Sequence, residues 1–369
     1  MPHIALTSYD LETGGISRVA VYLANGFAGA GHRVSLVLCS DAGDLHAVLS
    51  AELAEGVELV VLSAKRARSR ALGQIASWRA MRRWLRAARP DVLMGTSNNI
   101  AWFTGLSLAG LSGKRPALFI KTTNPILRKA DGPLLTALRR WGYARLFGAA
   151  EAVLTLSEAE SRVLAAQFPR QAARFHAVYN PYLTPAFLAA PQAQREPGLL
   201  IGLGRLSPQK NFVRLIRAFA LARSRSAALA NARLLIAGEG PLRGELEALV
   251  SDSGLGEAVS LPGFAHDVPA LLARADRFIL SSEYEGLPAV VIEALGSGCP
   301  VIATDCFAAA RELLGGLAGC AVCDLFEAEL ADALVAALGE TPDPGVLRER
   351  ASDYALPSAI ASHLGAIKL

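Results

Sequence analysis

The chain alternates between short, almost continuously apolar runs and longer segments in which apolar residues recur every three to four positions. IALTSYD (residues 4–10) predicts a strand, ISRVAVYLANGFAGAG (16–31) a helix and HRVSLVLCS (32–40) a second strand. The same alternation continues to a helix that begins with the capping-box pair Ser157 and Glu160. Apolar strands separated by helices indicate a parallel sheet that is covered on both faces.

The alternation stops at residues 181–198, where four prolines and the lack of a clear period predict an interdomain linker. It resumes with the predicted strands GLLIGLGRLS, ARLLIAGEG, RFILSS and PVIATD, which are separated by helices. The pattern therefore predicts an α/β protein of two doubly wound Rossmann-like domains, residues 1–182 and 195–347. Ligands bind such sheets at the carboxyl ends of the strands, so we expect the two binding edges to face one another across a cleft.

Length and composition agree with two packed domains. The chain has 369 residues, of which 52% are hydrophobic and 19% charged, which is too long for one ordinary core and too apolar for disorder. Residues 1–180 hold 22 Lys and Arg against 12 Asp and Glu, so the first half is the basic half. Five cysteines predict reduced core residues of a cytosolic protein, and the CxxC of Cys320 and Cys323 lacks the second ligand pair of a metal site.

Two features of the sequence bear on localisation. The N-terminus shows no basic region followed by an apolar run, so we expect no export signal. Residues 92–113 carry no charge, but their two asparagines and four glycines make a poor transmembrane helix. We interpret this segment as a buried strand, VLMGTS, followed by a helix that faces the core.

Two glutamates interrupt the apolar segment SSEYEGLPAVVIEALGSGCP. Pro288 suits the first position of a helix that runs to about Leu295, which places Glu285 before the helix and Glu293 about one and a half turns inside it. Backbone N–H groups at a helix start bind anions, and a carboxylate just before them can bind hydroxyls presented beside the anion. The alternative is that Glu285 only complements the helix dipole while Glu293 points to solvent; these residues alone leave both interpretations open.

Two cations, and elsewhere a glycine followed by a glutamate, come after other predicted strands. Arg205 and Lys210 come after GLLIGLG, where they could neutralise a diphosphate or could be ordinary solvated charges. Gly238 and Glu239 end the next strand, where a glycine lets a ligand approach the backbone or simply makes a turn.

The motifs GRLSPQKN, AGEGP, LPGF and EYEGLPAVVIEALGSGCPVIATD occur in this order. Together they resemble the C-terminal domain of retaining glycosyltransferases of family 4, which have the GT-B fold and an E-x7-E motif matched by Glu285 and Glu293. Gly14 and Gly15, AGAGHRVSLV and LTLSEAE are similar to the N-terminal domain of that family. The resemblance also implies that residues 348–369 return as a helix to the first domain.

The resemblance implies a role for each matching residue. Glu285 would contact hydroxyls of a donor sugar, Glu293 would bind the ribose of a nucleotide sugar, and Arg205 and Lys210 would hold its diphosphate. We take Glu285, Arg205 and Lys210 as the catalytic set. The further implied donor contacts are Gly14, Gly15, Gly238, Glu239, Gly263, Phe264, Gly286, Leu287 and Pro288.

The chemistry of such a site needs neither a metal nor a cofactor. The chain has no DxD arrangement, and fixed cations and helix N-termini can stabilise the departing diphosphate. In such retaining enzymes the departing phosphate oxygen takes the acceptor's proton, so Glu285 and Glu293 are not expected to form a glycosidase-type pair.

The chain departs from the family pattern at the histidine that many members carry after the strand corresponding to PALFIKT. Here Lys121 or Asn124 would have to substitute for it.

Residues 65–89 hold nine basic residues and no acid, with Trp78, Met81, Trp84 and Leu85 at helical spacing. This profile is typical of a helix on an anionic membrane surface. An ordinary domain helix with its tryptophans toward the core fits the profile as well. Nucleic-acid binding is disfavoured because no aromatic and glycine recognition motif accompanies the charge.

The sequence thus predicts a retaining, metal-independent transferase that moves a sugar from a nucleotide-diphosphate donor, with UDP-sugar favoured, to a hydroxyl. The acceptor would be a glycan or a polyprenyl-linked glycan in bacterial polysaccharide or glycoconjugate synthesis. We expect a cytoplasmic protein, with peripheral association at the inner face of the plasma membrane as an open alternative. Three other interpretations stay open: a GDP-mannose-dependent mannosyltransferase, a non-catalytic nucleotide-sugar-binding assembly subunit, and a nucleotide-sugar epimerase.

Overall fold

The chain forms two compact units. The computed structural model describes residues 1–12, 15–63, 68–127, 131–190, 194–265 and 267–368. The first unit holds Met1–Pro181 and Leu356–Leu369, and the second holds Tyr182–Ala355. The predicted linker therefore groups with the second unit from Tyr182 onward, and the chain returns to the first unit at Leu356 rather than at residue 348.

The first unit is built on a parallel sheet of strand order β3-β2-β1-β4-β5-β6-β7. Its strands are β1 (His3–Ser8), β2 (Arg33–Leu38), β3 (Val57–Val61), β4 (Val92–Gly95), β5 (Ala117–Lys121), β6 (Ala152–Thr155) and β7 (Phe175–Ala177). The helices between them are α1 (Gly15–Gly29), α2 (His46–Ala51), α3 (Arg70–Ala88), α4 (Asn98–Ser107), α5 (Pro133–Ala149) and α6 (Glu158–Gln167).

The second unit repeats this plan with a parallel sheet of order β10-β9-β8-β11-β12-β13. Its strands are β8 (Leu199–Leu203), β9 (Arg233–Ala237), β10 (Val259–Gly263), β11 (Arg277–Leu280), β12 (Val301–Thr304) and β13 (Ala321–Cys323). Its helices are α7 (Pro185–Leu188), α8 (Phe212–Arg225), α9 (Arg243–Asp252), α10 (Val268–Arg274), α11 (Ala289–Gly296), α12 (Ala310–Leu314), α13 (Glu327–Leu338) and α14 (Pro344–Ala351). The last helix, α15 (Leu356–Ala366), belongs to the first unit and packs against α1.

Each sheet has one point at which the strand order reverses. In the first unit this point lies between β1 and β4, and in the second between β8 and β11. The prediction of two parallel, doubly wound α/β domains is confirmed. Because adjacent loops diverge at a reversal and leave a crevice at the carboxyl ends of the strands, these two points are where the fold favours ligand binding.

The uncharged segment 92–113 forms the buried strand β4 followed by α4, one side of which faces the core of the first unit, as predicted. Val92 and Met94 of β4 and Ile100 and Phe103 of α4 are buried, so their apolar character is explained by packing. No helix within the described residues has both the length and the apolar character needed to cross a membrane.

Ser157 caps α6 as predicted: its hydroxyl accepts from the backbone N–H of Glu160 at 3.0 Å. The Glu160 carboxylate accepts from the N–H of Leu156 at 2.7 Å. The cysteines are free thiols, and burial raises the pKa of Cys299 to about 12.

Candidate functional site

An ion pair joins two loops at the reversal point of the second unit. Lys210 ends the loop after β8, and Glu285 lies in the loop after β11. Because β8 and β11 are neighbours in the sheet, the two loops meet, and Lys210 Nζ lies 2.7 Å from Glu285 Oε1. The two side chains are only 19% and 11% exposed, so water screens the pair weakly. The structure thus brings together two residues of the predicted catalytic set.

Hydrogen bonds hold Glu285 in this position. Ser282 Oγ donates to Glu285 Oε1 at 2.8 Å, and the Glu285 N–H donates to the carbonyl of Cys306 at 2.8 Å. Gln209 Nε2 donates to the carbonyl of Tyr284 at 3.0 Å and lies 3.4 Å from Glu285 Oε2. The carboxylate is therefore oriented before any ligand arrives.

A second group of hydrogen bonds joins the same two loops. Glu283 Oε1 accepts from Arg214 Nη2 and from Asn211 Nδ2, each at 2.5 Å, and Arg214 Nη1 donates to the carbonyl of Ser281 at 2.9 Å. Asn211 adopts a left-handed conformation with φ of 43° and caps α8 through its side chain. The sequence analysis did not predict these hydrogen bonds, because Arg214 occupies an ordinary position in an amphipathic helix.

Glycines allow the carboxyl ends of β8 and β9 to approach each other closely. Gly204 and Gly238 both have a φ of +148°, which side chains disfavour. A Cβ at position 238 would overlap the carbonyl oxygen of Gly204. The close neighbour of Gly238 is therefore the backbone of Gly204.

Four of the further predicted donor contacts, Gly238, Glu239, Gly263 and Phe264, lie at the ends of β9 and β10. Glu239 is engaged by Arg243, with Nη2–Oε1 at 2.6 Å and Nε–Oε2 at 2.9 Å, and these hydrogen bonds lower the pKa of Glu239. Gly263 has a φ of +91°, and its carbonyl accepts from the N–H of Gly238 at 2.7 Å. Phe264 is 65% exposed, which leaves its ring available for stacking.

The other predicted residues of the second unit lie in the two loops that carry the ion pair or in helix α11. Arg205 is exposed and makes no hydrogen bond or ion pair within the described part of the chain. Glu293 is half-buried within α11. Pro288, with ψ of 115°, precedes α11 as its N-cap, so the prediction that it is the first helical residue is wrong by one position. Gly286 is half-buried and Leu287 is buried.

The carbonyl of Leu287 is tied to the start of the second unit. Tyr182 Oη donates to it at 3.1 Å, and the Tyr182 ring stacks on Tyr354 with centroids 6.2 Å apart. Leu183 N–H donates to the carbonyl of Tyr354 at 3.1 Å. The first and last segments of the second unit are thus joined to each other and to the loop that carries Glu285.

In the first unit, Gly15 opens α1 and is exposed, whereas Gly14 lies outside the described residues. Asn124 offers its carbonyl to Asn98 Nδ2 at 2.7 Å, which ties its loop to the start of α4. Asp10 follows β1 at the reversal point, and burial, followed by the nearby charge of Glu12, raises its pKa to about 6. The sequence analysis did not single out Asp10.

Lys121 is completely buried at the end of β5. Its Nζ lies 3.0 Å from Nε2 of His363 on α15, and His363 Nδ1 lies 2.8 Å from the carbonyl of Ala359. Nδ1 therefore donates to the carbonyl, and Nε2 accepts from Lys121. Burial lowers the pKa of Lys121 to about 7. This placement favours a role in anchoring α15 and leaves the predicted sugar contact of Lys121 without support.

The apolar residues predicted for a membrane contact of segment 65–89 divide between core and surface. Met81 and Leu85 are buried in the core of the first unit, and Trp84 is half-buried in a T-shaped contact with His3. Trp78 is partly exposed, and Arg82 stacks on its ring at 5.0 Å. Lys65 and Arg66 lie outside the described residues. Most of the predicted stripe is thus an ordinary core face.

The described residues contain no group of three or more His, Cys, Asp or Glu side chains that could hold a metal ion.

Comparison with known families accounts for most of the chain. Residues 13–182 match the model described as Glycosyltransferase Family 4, and residues 197–340 match the model described as Glycosyl transferases group 1. The first part of the chain is therefore similar to a glycosyltransferase family 4 domain, and the second part to a group 1 glycosyl transferase domain. The predicted fold class is confirmed by solved structures of the same fold.

Two curated proteins and one solved structure illustrate the similarity. The N-acetylgalactosamine-N,N'-diacetylbacillosaminyl-diphospho-undecaprenol 4-alpha-N-acetylgalactosaminyltransferase of Campylobacter jejuni is 38% identical over 116 residues, which is 31% of this chain and 30% of that protein. The lipopolysaccharide core biosynthesis glycosyltransferase LpsD of Rhizobium meliloti is 32% identical over 113 residues, 31% of each protein. Anabaena Alr3699/HepE, solved with UDP and glucose, has a TM-score of 0.76 over 100% of both chains at 18% identity, which shows the fold alone.

The chain thus matches less than a third of the length of these two curated relatives.

Proposed function

We propose that this chain is a retaining, metal-independent glycosyltransferase. It moves a sugar from a nucleotide-diphosphate donor, with a UDP-sugar favoured, to a hydroxyl of a glycan or a lipid-linked acceptor. The observation that carries the proposal is the Lys210–Glu285 ion pair at the strand-order reversal of the second unit.

The pair has the chemistry that donor binding requires. A lysine ammonium has three donors, so Lys210 can keep its bond to Glu285 and still donate to a phosphate oxygen. Glu285 can accept from sugar hydroxyls through Oε2, which lies 3.4 Å from Gln209 Nε2. Arg205, exposed in the same loop as Lys210, supplies a second cation for the diphosphate. Glu293 binds the ribose in this proposal.

The reaction follows from the charge that develops on the donor. The bond between the anomeric carbon and the diphosphate oxygen breaks, which leaves positive charge on the sugar and negative charge on the leaving group. Lys210, Arg205 and the N-terminus of α11 stabilise that negative charge. The acceptor oxygen forms its bond on the same face of the sugar, and its proton passes to the departing phosphate oxygen. No protein nucleophile takes part.

Relatives support the choice of substrates. Anabaena Alr3699/HepE was solved with UDP and glucose, and the name of the Campylobacter jejuni relative includes a diphospho-undecaprenol acceptor. A UDP-sugar and a polyprenyl-linked glycan are therefore the first substrates to test.

Thermal shift with UDP-, GDP- and ADP-sugars tests donor binding. A ligand at a hundredfold its Kd adds about 2.7 kcal/mol of stability. We expect stabilisation by UDP-sugars, whereas stabilisation by GDP-mannose alone would point to a mannosyltransferase. If none of the nucleotide sugars stabilises the protein, the proposed site is wrong.

Glu285→Ala tests catalysis. We expect loss of transfer with modest loss of stability, whereas Glu257→Ala, a surface substitution of the same type, should retain full turnover. Full turnover of Glu285→Ala would refute the assigned role. Donor binding without transfer to any acceptor would favour a non-catalytic subunit, and epimer formation without acceptor would favour an epimerase.

A further inference from the structure

Helix α5 exposes apolar side chains in its first half. Leu134 is 83% exposed, Leu138 61% and Trp141 58%. The second half is different, because Leu146 and Phe147 are buried in the core. The core does not account for the apolar residues of the first half, and an exposed apolar cluster of this kind usually marks a contact surface.

The charge of α5 is entirely basic. Its sequence, PLLTALRRWGYARLFGA, contains three arginines and no acid. Arg139 is paired with Asp131 at 3.0 Å, whereas Arg140 and Arg145 are exposed. The guanidinium of Arg145 stacks on the Trp141 ring at 4.4 Å from the centroid. This arrangement places a cation at the rim of an exposed apolar face.

Helix α3 repeats the arrangement. Leu72, Ile75 and Trp78 are exposed in its first half, and Arg82 stacks on Trp78 at 5.0 Å. The α3 sequence also lacks acidic residues.

The two helices lie on one face of the sheet with α4, which packs against both. Gln74 of α3 donates to the carbonyl of Asn99 on α4 at 2.7 Å, and Trp102 of α4 contacts Tyr143 of α5 with centroids 5.6 Å apart. A helix that joins parallel strands runs back against them, so its first half lies toward their carboxyl ends. Both exposed clusters therefore lie at the edge of the sheet where substrates are expected.

We propose that the first halves of α3 and α5 form one surface that rests on an anionic lipid bilayer. This lipid-facing surface consists of Leu72, Ile75, Trp78, Leu134, Leu135, Leu138 and Trp141. Its apolar side chains enter the boundary between headgroups and acyl chains, while the arginines bind lipid phosphates. A second copy of the chain fits this surface less well, because two faces built from helices that carry basic and no acidic residues repel each other.

Lipid binding by this surface is a separate property from the proposed transfer reaction, since it involves the first unit alone and requires no donor. Its position would bring a lipid-linked acceptor to the carboxyl edge of the sheet. Its test measures binding without turnover, so that its failure and the failure of the proposed function are distinguishable.

The experiment measures co-sedimentation of the full chain with vesicles of phosphatidylcholine, with and without phosphatidylglycerol. We expect binding to the vesicles that contain phosphatidylglycerol, and weaker binding as the salt concentration rises. Leu138→Ser combined with Trp141→Ser should lower the partition coefficient about tenfold or more. Arg140→Gln should lower it about fivefold on anionic vesicles and little on neutral ones.

Phe326→Ser and Leu188→Ser are the matched controls, because both residues are exposed apolar residues of the second unit. Each control should bind vesicles as the unaltered chain does. The proposal is overturned if the unaltered chain does not bind anionic vesicles, or if the α5 variants bind them equally well. It is also overturned if the α5 substitutions change only the oligomeric state, since a second copy would then be the occupant.

Discussion

Lys121→Met should change how the stability of the first unit depends on pH. Lys121 is completely buried, and burial lowers its pKa from 10.5 to about 7 in the folded chain. Between these two values the unfolded chain binds a proton that the folded chain does not bind. The free energy of unfolding therefore rises with pH in this window, and it does so only if the lysine is present.

One proton corresponds to about 1.4 kcal/mol per pH unit, so the lysine contributes a rise of about 2.7 kcal/mol between pH 7.5 and pH 9.5. The variant loses this rise. It also leaves Nε2 of His363 without the donor at 3.0 Å, which costs about 1–3 kcal/mol at every pH in the window. Burial raises the pKa of Glu160, and hydrogen bonds from Leu156 and Thr122, followed by the charge of Lys121, act against that rise.

Tryptophan fluorescence during urea unfolding measures this effect, because the chain's four tryptophans, Trp78, Trp84, Trp102 and Trp141, all lie in the first unit. The quantity to compare is the unfolding free energy of the unaltered chain minus that of the variant, at each pH. Buried thiols such as Cys39, whose pKa burial raises to about 12, are present in both proteins and cancel in this difference.

The difference should increase by about 2.7 kcal/mol over the window. Lys114→Met is the control, since Lys114 is exposed and paired with Asp91 at 2.7 Å, and its difference should stay flat. A flat difference for Lys121→Met as well would mean that the buried lysine keeps its proton, and the reasoning from burial would be refuted.

Three further predictions concern the second unit. Gly238→Ala should lower its stability by about 2–4 kcal/mol, because the new Cβ would overlap Gly204, whereas Gly244→Ala should not; calorimetry measures both. Tyr182→Phe removes the 3.1 Å hydrogen bond to Leu287 and should raise the KM for the donor more than it lowers kcat, while Tyr22→Phe in α1 should change neither. In a double-mutant cycle of unfolding free energies, Lys210→Met and Glu285→Gln should couple by about 0.5–3 kcal/mol, and additive values would contradict the ion pair.

The sequence predicts the local elements of this fold well because their signals are local. The apolar run of residues 92–97 contains β4, and the residues after it form α4. The order of the strands is a different matter, since it depends on contacts between distant segments. Sequence analysis placed Lys210 and Glu285 at the ends of two strands, but it did not predict that these strands are neighbours.

The predictions for Lys121 and for the apolar stripe of α3 failed for the same physical reason, which is that burial depends on distant segments of the chain. Lys121 ends an apolar strand, and its charge suggested solvent or a ligand. Its partner His363 lies 242 residues away on α15, which no local pattern reveals. On α3, helical spacing correctly identified an apolar stripe, but spacing alone does not say which residues of the stripe face the core. Met81 and Leu85 do, whereas Trp78 is partly exposed.

The ion pair at the reversal point explains how a carboxylate can serve beside a diphosphate in the proposed reaction. A bare carboxylate would repel the donor, because both carry negative charge. Lys210 balances the charge of Glu285 at 2.7 Å, so Glu285 can accept from sugar hydroxyls without repelling the phosphates. The net positive charge that attracts the donor then comes from Arg205 and from the first turn of α11. In this division of roles Lys210 couples the two parts of the donor site, so that orienting the sugar and binding the diphosphate depend on the same ammonium group.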